Sequence, residues 1–208
     1  MTRMRSVPWP ALAAVLALAA PAAIAADSPQ QLGPASIPAG HYVMDKRHTS
    51  LTVRVNHEHV SLSTLRFDRM DGSFDYDPAH PEATHLTANV DPTSLDVNGD
   101  WAKEFQERFL QASKFPQATF VSTAARAIGG AHGTLTGNLT LMGVTRPVTL
   151  DVILVGSAHE QFPLPFGQQA VGFEATTTIK RSDFGSNAFQ GMVGDEVTLT
   201  FEAEFDKK

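Results

Sequence analysis

Apolar and polar residues alternate one for one along much of this chain, most clearly between Gly137 and Val155. Leu139 and Leu141 alternate with Asn138 and Thr140. After a break at Gly143-Val144-Thr145-Arg146-Pro147, Val148, Leu150, Val152 and Leu154 alternate with Thr149, Asp151 and Ile153. A period of two puts one apolar face on a β-strand. Gly143 permits positive φ and Pro147 has no amide hydrogen, so the break has a backbone cause, and the segment predicts a β-hairpin. A lone hairpin cannot bury its apolar face, so other strands must cover it.

The rest of the chain supplies them. Leu51, Val53 and Val55 share one face, and His57 and His59 continue it to a strand's rim. Leu65 and Phe67 are odd-numbered whereas Met70, Phe74 and Tyr76 are even, and this change of parity predicts a bulge or kink near Asp68 to Asp71. Leu86, Ala88 and Val90 form a shorter strand. Further strands follow at Thr119 to Thr123 and His132 to Met142, then along Val171, Phe173, Ala175, Thr177 and Ile179. Val197, Leu199, Phe201, Ala203 and Phe205 form the last.

Asn98 to Ala112 breaks the alternation. Trp101, Phe105 and Phe109 recur every four residues among charged neighbours, which predicts one amphipathic helix, capped by Asn98 or Asp100 and ended by Pro116. It reads as core cover ahead of a moving lid. About eight long strands and one helix, without a βαβ rhythm or a repeat, predict an all-β fold: an extended eight-stranded antiparallel barrel.

Residues 1–25 stand apart from this pattern. Arg3 and Arg5 precede an apolar run from Ala11 to Ala20, and Ala23-Ile24-Ala25 offers a cleavage site, the pattern of a secretory signal peptide. A proline-rich leader occupies 26–40, and the barrel domain 41–208. The run is shorter than the ~20 residues that span a bilayer, so an exported protein that is not integral to the membrane is expected.

Removing Arg3 and Arg5 with no acid takes the formal charge from -6 to -8, which argues against a nucleic-acid partner. The chain has no cysteine, which removes disulfides, thiolate metal sites and a Cys nucleophile.

An eight-stranded barrel is wide enough to hold one small ligand. Inward parity assigns its lumen to Leu51, Val53, Val55, Phe67, Leu86, Val90, Phe120, Leu139, Leu141, Leu150, Val152, Phe173, Ile179, Leu199 and Phe201. The two non-strand segments rich in aromatics supply a candidate mouth: Trp101, Phe105 and Phe109 from the helix, and Phe162 and Phe166 from the loop Gln161 to Gly167.

Catalytic signals are weak. His57-Glu58-His59 lacks the further ligands of a metal site, Ser182, Asp183 and His48 do not assemble into a triad from sequence, and no GxSxG or HExxH motif is present. The expectation is no catalytic residue, no metal and no cofactor, with a hydrophobic small molecule as partner and a homodimer left open. Two alternatives stay open beside a lipid binder: a metal- or acid/base-dependent enzyme on an apolar substrate, and a ligand-free adaptor.

Four motifs in order carry a resemblance. They are Tyr42-x-x-Asp45-x-x-His48-x-Ser50 with Val53-x-Val55-x-His57; Gly137-x-Leu139-Thr140-Leu141-x-Gly143-Val144-Thr145-Arg146-Pro147-Val148; Gly172-Phe173-Glu174-Ala175 leading to Arg181-Ser182-Asp183-Phe184-Gly185; and Val193-Gly194-Asp195-Glu196-Val197. Together they resemble the YceI-like family over about residues 41 to 206. The resemblance implies a lipocalin-like barrel in the bacterial periplasm whose lumen holds a polyisoprenoid or quinone-like lipid, and a protein that is not an enzyme.

Overall fold

The alternating segments pair into a single antiparallel sheet in a computed structural model that describes residues 37–97, 99–159 and 168–208. The signal peptide, the leader before Ile37 and the aromatic loop with Phe162 and Phe166 lie outside the described residues. The strands are β1 (Gly40–Met44), β2 (Ser50–His57), β3 (Ser61–Phe67), β4 (Met70–Tyr76), β5 (His85–Val90), β6 (Leu95–Asp96), β7 (Ala118–Gly129), β8 (His132–Leu141), β9 (Val144–His159), β10 (Gln169–Lys180) and β11 (Val193–Lys207). One helix, α1 (Ala102–Leu110), lies between β6 and β7.

Eight strands close a ring in the order β1-β4-β5-β7-β8-β9-β10-β11, sealed by β11 pairing back onto β1. β11 is long enough to serve two neighbours on the same edge: Phe205 to Lys207 pair with β1, and Val197 to Glu202 pair with β2. Beyond that split β2, β3 and β6 continue as a flap. The expected eight-stranded barrel is therefore present, with three more strands that extend one wall.

The hairpin forms, but its turn is tighter than the sequence break suggested. Leu141 pairs with Val144, leaving only Met142 and Gly143 between the strands, with φ of 52° and 75°. Two left-handed residues match the twist of the flanking strands. Pro147 lies inside β9 opposite Asn138. The pairing of β9 with β10 begins only at Asp151, so the missing donor of Pro147 falls where one flank has no strand partner.

The parity change at Asp68 to Asp71 also has a different cause from the expected bulge. β3 ends at Phe67 and β4 starts at Met70, and the two belong to different parts of the sheet, the flap and the ring. Asp68 and Arg69 make the crossing, tied to the turn Pro92–Ser94. There the Asp68 N–H donates to the Ser94 carbonyl at 3.2 Å, and the Arg69 N–H donates to the Ser94 hydroxyl at 3.0 Å.

The helix is shorter than expected, and its ends are made differently. Trp101 stands at the N-cap with no side-chain cap bond, so Asp100 does not cap it, and Asn98 lies outside the described residues. The helix stops well before Pro116, at Gln111 in the left-handed region, whose N–H donates to the Glu107 carbonyl at 3.0 Å. No residue of α1 is fully buried.

Candidate functional site: a two-chambered lumen

Inward side chains of the ring enclose a first cavity of about 220 Å³. Its wall includes Leu86, Leu150, Val152, Leu154, Ala175 and Ala203, and Phe74, Phe173 and Phe205 pack around its end. These three rings meet edge to face at 5.0 to 6.3 Å, and Phe74 stacks on the buried Tyr42 at 4.8 Å. Tyr42 satisfies its hydroxyl by donating to the Pro38 carbonyl at 2.8 Å, so an aromatic cluster seals this end without an orphaned polar group. Ile37, in the stretch read as leader, is buried in the same cluster.

A second cavity of about 550 Å³ lies between the flap, the ring and the helix. β2 and β3 give it Leu51, Val53, Val55, Leu65 and Phe67, and α1 gives it Trp101, Phe105, Phe109 and Leu110. The helix covers the wall where strand pairing has run out, since β6 pairs only with β3 among the described residues. Phe109 ties it to the loop after β10, with ring centroids 5.7 Å from Phe189 and 5.4 Å from Phe105.

Ala88, Phe120, Leu139, Leu199 and Phe201 line both cavities and form a waist between them. All fifteen residues assigned inward by parity line one cavity or the other. Among the described residues no carboxylate lines either one.

Several wall residues are absent from that assignment. Met44, Phe74, Leu154 and Phe205 follow the same alternation and were legible from it. Arg181 follows no hydrophobic signal, yet it lines the second cavity and is only 7% exposed. The register of β11 against β2 slips between Val193 and Val197, and the carbonyls released there are taken by this guanidinium. Nε donates to the Gly194 carbonyl at 2.8 Å, Nη2 to that of Val193 at 2.8 Å, and Nη1 to that of Ser186 at 2.7 Å. Burial lowers the Arg181 pKa, with the charge of Asp195 opposing. Asp195 accepts from the Ser182 N–H and hydroxyl at 2.9 and 2.8 Å, which holds its carboxyl below the usual range.

His57 and His59 are exposed at the β2–β3 turn, and His57 also lines the second cavity. The residues that come together as metal-capable ligands are instead Asp45, His48 and Glu204. Arg47 already donates to both Asp45 oxygens, at 3.0 and 2.7 Å, and His48 Nδ1 lies 2.9 Å from one of them. A cation would have to displace a guanidinium fork, so the cluster is better suited to latching the β1–β2 turn onto β11 than to holding a metal. The backbone agrees: the Asp45 N–H donates to the Glu204 carbonyl at 2.8 Å.

Known proteins share this architecture. A protein named UPF0312 from Shewanella baltica is 35% identical over 181 residues, covering 85% of this chain and 93% of its own. The crystal structure of Burkholderia cenocepacia BcnA superposes with a TM-score of 0.65 at 24% identity, covering 77% of this chain and 98% of the other. A domain from Saccharophagus degradans described as polyisoprenoid-binding superposes with a TM-score of 0.63 at 14% identity, covering 82% and 100%. Residues 42–205 match the YceI-like domain, which takes in the ring, the flap and the helix, and the chain therefore belongs to the YceI-like family.

Proposed function

We propose that the protein binds the tail of a long-chain amphiphile, a polyisoprenoid or quinone-like lipid, in its lumen and carries or stores it in the periplasm. The observation that carries this reading is the pair of largely apolar cavities, one inside the ring and one beneath the flap and helix, that share five wall residues. A wall dominated by Leu, Val, Phe and Ala, with no carboxylate among the described residues, suits a hydrocarbon chain and offers no paired carboxylates for acid/base chemistry. Binding is thus favoured over catalysis. The polyisoprenoid-binding description of the Saccharophagus degradans domain supports the same ligand class.

Large apolar side chains are exposed on the segments around the second cavity, and Trp101 and Leu62 also line it. Trp101 on the helix, Val60 and Leu62 at the β2–β3 turn, and Phe189 and Met192 before β11 are all exposed. The Glu58 N–H donates to the Met192 carbonyl at 2.6 Å, which places two of these segments side by side. Such a rim suits transfer to and from a bilayer.

Mass spectrometry of organic extracts from protein purified without detergent tests the reading. The expected result is a dominant long-chain lipid in near-stoichiometric amount. Empty extracts, together with no uptake from vesicles carrying a polyisoprenoid, contradict it.

A further inference from the structure

Along the flap the cavity wall changes character. Inward pairs run from Leu51 with Phe67, through Val53 with Leu65, to Val55 with Ser63. At the same end His57 pairs with Val193, whose carbonyl is one of the three that hold Arg181. Asn56, His57, Ser63, Thr64 and Ser186 join Arg181 in lining this end of the second cavity. The lumen is therefore amphiphilic along its length, with a sealed aromatic end in the first cavity and a polar end beneath the helix.

Arg181 is the charged group at that polar end, and the nearby charge of Asp195 offsets it only in part, without a direct ion pair. A guanidinium has five N–H donors and the three carbonyls take three of them, so two remain. Carbonyl dipoles solvate a cation but leave its charge in place. Arg181 forms no ion pair among the described residues, and Asp195, on the same bulge, directs both oxygens to Ser182. Phe109 lies against the guanidinium, 5.6 Å from ring centroid to Cζ, which shields one side from water. A buried charge without a direct ion pair is costly, and the cost falls when an anion arrives.

Resting on the lipid-binding reading above, we infer that Arg181 is the seat for an anionic headgroup, a carboxylate or phosphate ester, with the tail running past Phe120 and Phe201 into the first cavity. Two free N–H donors and a full charge suit a group with two anionic oxygens. A neutral hydroxyl gains one uncharged hydrogen bond at the same place. The net charge, -6 for the full chain and more negative still without Arg3 and Arg5, works against anions in general, so any preference for them must come from a local cation.

The test compares tail-matched probes, oleate and oleyl alcohol, each titrated below its aggregation concentration into the mature protein stripped of copurifying lipid. The unaltered protein should bind oleate at least about tenfold more tightly, roughly 1.4 kcal/mol. Arg181→Gln should bring the ratio close to one while alcohol affinity stays within about twofold. Should Arg181→Gln fail to fold by circular dichroism, Arg181→Lys decides, because a lysine keeps charge without the fork and should cut the ratio at least about threefold. Equal affinity for the two probes in the unaltered protein, or a ratio that neither substitution changes, overturns the headgroup seat and leaves lipid binding standing. Failure of both probes to bind contradicts the lipid-binding reading itself.

Discussion

The ring of Phe120 fills the space in front of Gly137. A Cβ at Gly137 would collide with that ring and stand 2.5 Å from the Val121 carbonyl oxygen. Phe120 is one of the waist residues that line both cavities, so a glycine in β8 sets how far this ring can lie back against the wall. The close approach requires the absence of a side chain, and the backbone of β7 cannot yield without breaking its pairing with β8.

Gly137→Ala should therefore destabilise the fold by about 1–3 kcal/mol through overpacking. Urea unfolding should show a lower midpoint with an unchanged slope. An unchanged midpoint would mean that Phe120 moves freely and does not define the waist.

The latch at Asp45 makes stability depend on acid. Hydrogen bonds from Arg47 hold its carboxyl well below the usual range, burial pushes the other way, and His48 reinforces the lowering. A carboxylate depressed in the folded state contributes fully above its unfolded pKa of about 4 and loses that contribution as pH falls below it. Asp45→Asn should lose about 1–3 kcal/mol at pH 7. The gap between variant and parent should narrow below about pH 4. Parallel stability curves down to pH 2 would contradict the latch.

Phe105 separates a gating helix from plain core cover. No residue of α1 is fully buried, so Phe105→Ala should cost only about 1–2 kcal/mol, less than the 3–5 kcal/mol of a fully buried phenylalanine. If the helix gates the second cavity, lipid exchange with vesicles should quicken more than affinity falls. Measuring unfolding and exchange on one preparation decides between them. A large stability loss with unaltered exchange makes the helix part of the core.

Strand parity carried most of the lumen. Leu139, Leu199 and Phe201 could be assigned inward because a half-buried strand repeats every two residues whatever its partner. Parity says nothing about which strands adjoin, so the change between Phe67 and Met70 gave no sign that the chain passes there from flap to ring, or that β11 divides its edge between β1 and β2. The turn at Met142-Gly143 was misplaced because Pro147 reads as a breaker unless the flank without a partner is known.

Arg181 was out of reach for a related reason. A charged residue at a strand's end reads as solvated, and only the slip between Val193 and Val197 and the loop before it reveal the three carbonyls that take it up. The Asp45 and Glu204 pairing, far apart in sequence, likewise appears only once β11 closes the ring.

If the two cavities act as one lumen for a long apolar tail, Ala203→Trp should separate long ligands from short ones. Ala203 lines the first cavity and not the second, so an indole there should block only the deep chamber. The measurement is the affinity of parent and variant for a short-chain and a long-chain lipid bearing the same headgroup, with far-UV circular dichroism to confirm the fold. The long chain should lose at least about tenfold in affinity, roughly 1.4 kcal/mol, and the short one less than about twofold. Undiminished long-chain binding, or equal losses for both, would contradict it.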